Sequence, residues 1–236
     1  MTFAEGQLNA EERSLLTAAI LNAPVKPKIV LEVGTWLGGG STLHFLKALE
    51  ANAEGHLWGI EADRSIYERM VENIQTSAPE AAHRFTPLFG FSQNIIPHWL
   101  AERGSNAAVD VAFLDGGDNP LEQITEFQLL ADRIPIGGQL LAHDAKLRKG
   151  KWLRPYVEQL DNWKVELHDV SAEGLLRAVK IAAAPSESSR RAAAARLRKL
   201  RFDPVELIGK ILPSSVCRIL LDRMPEKLRL RIGQGR

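Results

Sequence analysis

Cysteine is nearly absent from this sequence: Cys217 is the single one among 236 residues. One thiol excludes an internal disulfide framework and a cysteine-built zinc cluster. It fits a reducing, cytoplasmic setting. Long apolar runs are missing too, and none approaches the roughly 20 residues that a bilayer span requires. The opening residues, MTFAEGQLNAEERS, are mixed and acidic, so no secretory leader is expected. An overall charge bias is also lacking, since the formal net charge is +1. That near-neutrality conceals an asymmetry. From Arg190 to the end there are 13 Lys/Arg and 4 Asp/Glu, while the first 189 residues hold 17 and 25. An acidic body and a basic tail point to separate roles.

What is present is an alternation of apolar strands and amphipathic helices. Residues 10–22 read as a helix, with Asn9 as cap and Glu12 completing a capping box. After Pro24 and Pro27, KIVLEVG reads as a strand apolar nearly throughout, as a parallel strand buried on both faces should be. STLHFLKALEAN follows as a helix and HLWGIEAD as a second strand, giving one βαβ unit. SIYERMVENIQT, SQNIIPHWLAER and LEQITEFQLLADRI are further helices, the middle one kinked or begun near Pro97. They alternate with the strands RFTPLFG, VDVAFLD and GGQLLAHD, of which the first carries Pro87 and suits a sheet edge. KWLRPYVEQLDN reads as helix, and then WKVELHDV and GLLRAVKIA, joined by SAEG, read as an antiparallel hairpin. The fold class expected is α/β: a doubly wound, mostly parallel seven-stranded sheet ending in an antiparallel hairpin. Composition shifts at Pro185, so residues 1–184 are expected to form the domain and 185–236 a basic, amphipathic helical extension. Within the extension, DPVELIGKIL has Asp203 as cap and Pro204 at the first helical position. SSVCRILLDRM and EKLRLRI read as further short segments.

The chemistry concentrates in VLEVGTWLGGGST, residues 30–42. A strand, a glycine-rich turn and a helix start let a ligand approach bare backbone and free amides. A dinucleotide-binding turn needs G-x-G-x-x-G, and this turn has no G-x-G. Glu32 lies two residues before Gly34, and a carboxylate there suits a ligand presenting a cation rather than a pyrophosphate. Glu61, at the end of the second strand, is placed to accept hydrogen bonds from both hydroxyls of a ribose. That feature is shared with nicotinamide-binding proteins.

These residues resemble the class I S-adenosylmethionine-dependent methyltransferases, most of all the catechol and caffeoyl-CoA type O-methyltransferases and their bacterial relatives. The resemblance spans Ile29 to Ile181, through LEVGTWLGGGST, GIEAD, GFSQNIIPHW, VDVAFLDGG, GGQLLAHDA and the closing hairpin. It implies S-adenosylmethionine as cofactor, with Glu32 and Gly34 shaping the methionine pocket and Gly38 and Ser41 near its carboxylate. Trp36 would cover the cofactor and Glu61 would hold its ribose, with Ala62 behind the adenine. Ser92 and Gln93 would contact the adenine, and Asp115 would sit near the methionine ammonium or the reaction centre. It also implies methyl transfer to a small-molecule acceptor, most readily at a hydroxyl oxygen.

Two departures stand out. Metal-dependent members hold Mg²⁺ with an Asp after the fourth strand and an Asp-Asn pair after the fifth. Here Asp115 and Asp144 match, but Ala145 replaces the Asn. The lysine base three residues after Asp115 is replaced by Asp118. A hydroxyl acceptor needs a base, and Asp144, then His143, then Asp118 are the candidates. Two other readings stay open: a catalytically silent relative with a binding or assembly role, and an NAD(P)-binding oxidoreductase. The basic stretch 190–236 suits an anionic membrane surface or an acidic partner. It suits equally a plain extension packed on the body or on a second subunit. Nucleic acid is not expected, because only Phe202 interrupts its charges with an aromatic ring.

Overall fold

A computed structural model describes residues 6–104 and 107–202. The expected segments DPVELIGKIL, SSVCRILLDRM and EKLRLRI lie outside the described residues. The chain runs α1 (Ala10–Leu21), β1 (Ile29–Val33), α2 (Thr42–Asn52), β2 (His56–Glu61), α3 (Arg64–Ser77), β3 (Phe85–Phe89), α4 (Ser92–Arg103) and β4 (Val111–Leu114). It continues through α5 (Pro120–Leu130), β5 (Gln139–Ala142), α6 (Leu153–Val157), β6 (Trp163–His168), β7 (Leu175–Lys180) and α7 (Glu187–Arg201). Among the described residues no helix is long and apolar enough to cross a membrane.

The strands form one seven-stranded sheet in the order β3-β2-β1-β4-β5-β7-β6. Pairs from β3 through β5 are parallel, whereas β7 runs antiparallel to both β5 and β6. This is the doubly wound sheet with a terminal hairpin that the apolar strands foretell. β1, β4 and β5 are buried almost end to end because helices cover both faces. One face packs Phe45, Leu46, Ile74 and Leu16 beneath α1, α2 and α3. The other packs Trp99, Ile124, Phe127 and Leu153 beneath α4, α5 and α6.

Local chemistry sets the ends of these elements. Asn9 caps α1 through the amides of Glu11 and Glu12, and the Glu12 side chain returns to the Asn9 amide, completing the capping box. Asp63 caps α3 by accepting from the amides of Ser65 and Ile66, and Asn119 with Pro120 starts α5. α4 starts at Ser92 and passes through Pro97 as one helix. A proline there forfeits a single backbone bond, which the packed neighbours Ile96 and Trp99 outweigh. Helix α7 is joined to the body: its Ala193 and Leu197 belong to the same core as Leu153 and Trp152. Its basic side chains Arg190, Arg191, Arg196, Arg198, Lys199 and Arg201 are exposed.

The chain reverses its direction of winding between β1 and β4. Ligands of open α/β sheets bind beyond the carboxyl ends of the strands at such a switch point.

Candidate active site

A cavity of about 470 Å³ opens there, and the turns after all five parallel strands line it. Gly34 and Trp36 come from the turn after β1, Glu61 and Ala62 from that after β2, and Gly90 and Phe91 from that after β3. Asp115 to Asp118 follow β4, and Asp144 follows β5. Backbone bonds carry the ladder into these turns, as from Asp115 N–H to Val33 O (2.8 Å) and Gly90 N–H to Glu61 O (2.9 Å). The cavity floor is therefore as rigid as the sheet.

Gly34 has φ +85, and a Cβ on it would lie 2.6 Å from the Gly116 nitrogen, so only glycine lets these two turns meet. Trp36 (φ 45) and Asp144 (φ 58) take left-handed backbone conformations although neither is glycine. Such strain persists where the surroundings over-determine it and concentrates at functional sites. Both residues line the cavity.

Glu61 is held by its neighbours' backbone. Its Oε2 accepts from the Trp36 amide (3.0 Å), and its Oε1 from the amides of Ala62 (2.9 Å) and Asp63 (3.1 Å). A carboxylate fixed this way keeps lone pairs for a ligand and loses no rotamer freedom on binding.

Beyond β5 lies a compact charge cluster. Lys149 is almost fully buried, and its Nζ donates to Asp115 Oδ1 (2.8 Å), Asp115 O (3.1 Å) and Asp144 Oδ2 (2.7 Å). His143 Nδ1 lies 3.3 Å from both Asp115 Oδ1 and Asp144 Oδ1, and its Nε2 lies 3.2 Å from Glu12 Oε1. Ser171, in the hairpin turn, donates to the same Glu12 oxygen at 2.6 Å. Burial disfavours a charged imidazole, but the Asp115 hydrogen bond and the carboxylates of Asp115, Asp144 and Glu12 outweigh it, pushing His143 up to about 9. Burial likewise opposes ionisation of Asp115, yet His143 and Lys149 hold its carboxyl below the usual range. Burial also disfavours the Lys149 ammonium, and the two aspartates more than restore it.

The sequence-based candidates divide into two groups. Gly34, Trp36, Glu61, Ala62, Ser92, Asp115, Asp118 and Asp144 line the cavity. Glu32, Gly38, Ser41, Gln93 and His143 stand behind its wall. Glu32 is wholly buried and its carboxylate accepts from the Ser41 hydroxyl. Burial, only partly offset by Ser41, pushes it up to about 8, so it is largely uncharged near neutrality. Glu32, expected to shape the pocket as an anion, thus stands behind the cavity lining, where burial favours its neutral form. The glycines of the turn have a second use as well. A Cβ on Gly6 would fall 2.4 Å from the Gly40 nitrogen, and one on Gly38 would press on Ile74. Gly38 to Gly40 thus admit helix α3 on one side and the chain's own N-terminal segment on the other. His143 is cationic in the folded state, and an imidazolium has no lone pair with which to take a proton.

Four cavity or cluster residues escaped the sequence reading: Glu12, Glu122, Glu126 and Lys149. Glu126 accepts from the Ser92 hydroxyl (2.5 Å), while its Oε2 has no partner among the described residues. Burial, opposed by the Ser92 bond and helped by the Glu122 charge, pushes it up to about 7. The capping box announced Glu12 as a cap and concealed its second bond. Lys149 lies five residues beyond Asp144, in a turn without periodicity.

The lining thus holds six acids, Glu61, Asp115, Asp118, Glu122, Glu126 and Asp144, against the one cation Lys149 among the described residues. A pyrophosphate would meet repulsion on every side, and a cation would be attracted. Residues 31–145 match the family model described as a methyltransferase domain. Residues 31–145 are thus similar to that domain family. No curated protein matches the chain. The seven-stranded sheet superposes on several solved structures. One is a candidate O-methyltransferase from Klebsiella pneumoniae, at 18% identity and TM-score 0.62, covering 75% of this chain and 82% of that one. Another is an O-methyltransferase from Bacillus cereus in complex with SAH, at 16% and 0.60, covering 75% and 84%. A third is the SAH-bound methyltransferase of Podospora anserina, at 15% and 0.59, covering 75% and 80%. At these identities the likeness is one of fold, the class I methyltransferase fold.

The cavity also tests the groups that this fold implies. An adenosyl cofactor fits: Glu61 is preset as an acceptor, Glu126 Oε2 is a buried acceptor without a donor, and the walls are acidic. A Mg²⁺ ion does not fit. Asp115, His143 and Asp144 stand within 4.8 Å of one another, but the Lys149 ammonium already spans both carboxylates and the third member is a nitrogen. Mg²⁺ demands an octahedron of oxygens.

Proposed function

We propose that this protein transfers a methyl group from S-adenosylmethionine to a hydroxyl oxygen of a small-molecule acceptor. The observation that carries the reading is Glu61, fixed by three backbone amides at the mouth of an acid-lined cavity in a segment similar to the methyltransferase domain family. S-adenosylmethionine supplies a methyl carbon made electrophilic by its sulfonium. The chain's residues supply position and charge. Glu61 accepts from the ribose hydroxyls, while Ala62 and Phe91 flank the purine. Glu126 Oε2 accepts from an N–H of the ligand. Asp115, Asp118 and Glu122 leave the field at the cationic end negative.

Most of the rate enhancement of such a displacement comes from alignment of the acceptor. The remaining need is a base. Asp144 lines the cavity in a strained backbone conformation, so its carboxylate is the group we assign to the acceptor's proton. A carboxylate takes a proton most readily from an acidic hydroxyl, which favours phenols over alcohols. The O-methyltransferases among the structural neighbours agree with an oxygen acceptor.

The test is a panel of phenols, alcohols, amines and thiols incubated with methyl-labelled cofactor. Label entering a phenol, and lost in Asp144→Asn, is the expected result. Label entering amines alone, or unchanged turnover in Asp144→Asn, would overturn the assignment of acceptor or base.

A further inference from the structure

Lys149 takes no direct part in the methyl transfer proposed above. Its side chain is 7% exposed, and its three ammonium protons face three acceptors: Asp115 Oδ1, Asp115 O and Asp144 Oδ2. Nothing of its donor capacity is left for a ligand. Its position is built in. Gly150 beside it packs so closely that a Cβ there would lie 2.4 Å from Asp144 O and 2.5 Å from the Ala145 Cα. The turn carrying Lys149 is therefore pressed against the Asp144 turn, and the ammonium has one place to go.

The ammonium bridges two members of a ligand group. Asp115, His143 and Asp144 bring one oxygen or nitrogen each within 4.8 Å of one another, a separation that suits a divalent ion once the imidazole gives up its proton. We infer that Lys149 is the resident cation of this group: it fills the place of a metal ion, holds the Asp115 and Asp144 carboxylates in register, and makes the site metal-free by construction. Two carboxylates so close repel each other unless a cation lies between them. The Lys149 ammonium, beside the His143 imidazolium, supplies that positive charge at any metal concentration. Lys149 is a positioning residue, acting through Asp115 and Asp144. For the activity proposed above, on which this consequence rests, it means that the acceptor cannot chelate a metal through two adjacent oxygens. Substrates then bind through one hydroxyl.

The test is Mn²⁺ binding, read by electron paramagnetic resonance and by calorimetry. The samples are the wild-type protein, Lys149→Ala and Lys149→Ser, each with circular dichroism and an S-adenosylhomocysteine titration. Wild type is expected to take up no Mn²⁺ at the cluster. The two variants are expected to gain one equivalent, which a further Asp144→Asn change abolishes. A purely structural lysine would leave no such gain. One equivalent bound by the wild type and lost in Asp144→Asn would overturn the inference. A folded Lys149→Ala or Lys149→Ser protein that binds none would do so equally. If neither variant folds, the wild-type titration decides alone. An S-adenosylhomocysteine titration without heat, beside the expected Mn²⁺ results, would count against the methyltransferase reading and leave the lysine's role standing.

Discussion

The Trp36 amide donates to Glu61 Oε2 across 3.0 Å, tying the turn after β1 to the end of β2. This bond fixes a strained backbone (Trp36, φ 45) and a cavity-lining carboxylate in one stroke. The strain and the fixed acceptor support each other: without Glu61, the turn loses the partner that holds it in the left-handed region.

That coupling gives the first prediction. Glu61→Ala should weaken S-adenosylhomocysteine binding roughly ten- to a hundredfold, the worth of hydrogen bonds to a charged group. It should also lower the melting temperature, because three amides lose their acceptor. Calorimetric titration and thermal melts of the variant check both.

Glu32 yields a stability prediction. Its folded-state pKa is raised to about 8, so the folded protein holds a proton that the unfolded chain releases from about 4.5 upward. Stability therefore falls as pH rises through that window, by roughly 3 kcal/mol between pH 4.5 and 7 if nothing compensates. Glu32→Gln keeps an acceptor for Ser41 and cannot ionise. Its melting temperature should gain on wild type as pH rises from 5 to 8; a constant gap would contradict the buried, neutral Glu32.

Glu126 ties ligand preference to pH. Its carboxyl, pushed up to about 7, gains a negative charge in the cavity wall as pH rises through neutrality. Preference for the cationic S-adenosylmethionine over S-adenosylhomocysteine should then grow, by up to roughly tenfold for one added charge in a partly screened site. Glu126→Gln should flatten that dependence, as paired titrations at acidic and alkaline pH would read out.

Helix α7 bears on where the domain ends. Leu197 is 7% exposed and packs in the main core. Leu197→Ala should cost about 2 kcal/mol of unfolding free energy, measured by urea denaturation. No loss would mean that the helix is an appendage, as the change in composition at Pro185 suggested.

The fold was legible because its signals are local. Buried strands such as VAFL and QLLA are apolar without alternation, turns carry Gly and Pro, and the SAEG link forces a hairpin. That Glu61 would line the cavity was legible because a strand end fixes where its side chain goes. The wall of the site was not, because it depends on three-dimensional placement. Glu32 was expected to shape the pocket as an anion; its register opposite Gly59 and Phe113, which sequence does not reveal, buries it under α2. The glycines at 38–40 were read as room for a ligand, whereas Gly6, some 30 residues earlier, takes part of that room. Glu12 meets His143 across 131 positions, and Lys149 meets Asp115 across 34. Such pairs leave no periodic trace.

The proposed function requires the acid-lined cleft beyond β1 and β4 to take an adenosyl sulfonium compound. Calorimetric titration of the full chain with S-adenosylmethionine, S-adenosylhomocysteine and NAD is its most direct test. One-to-one binding of both adenosyl compounds, with no heat from NAD, is the predicted result. Binding of NAD with neither adenosyl compound bound would contradict it.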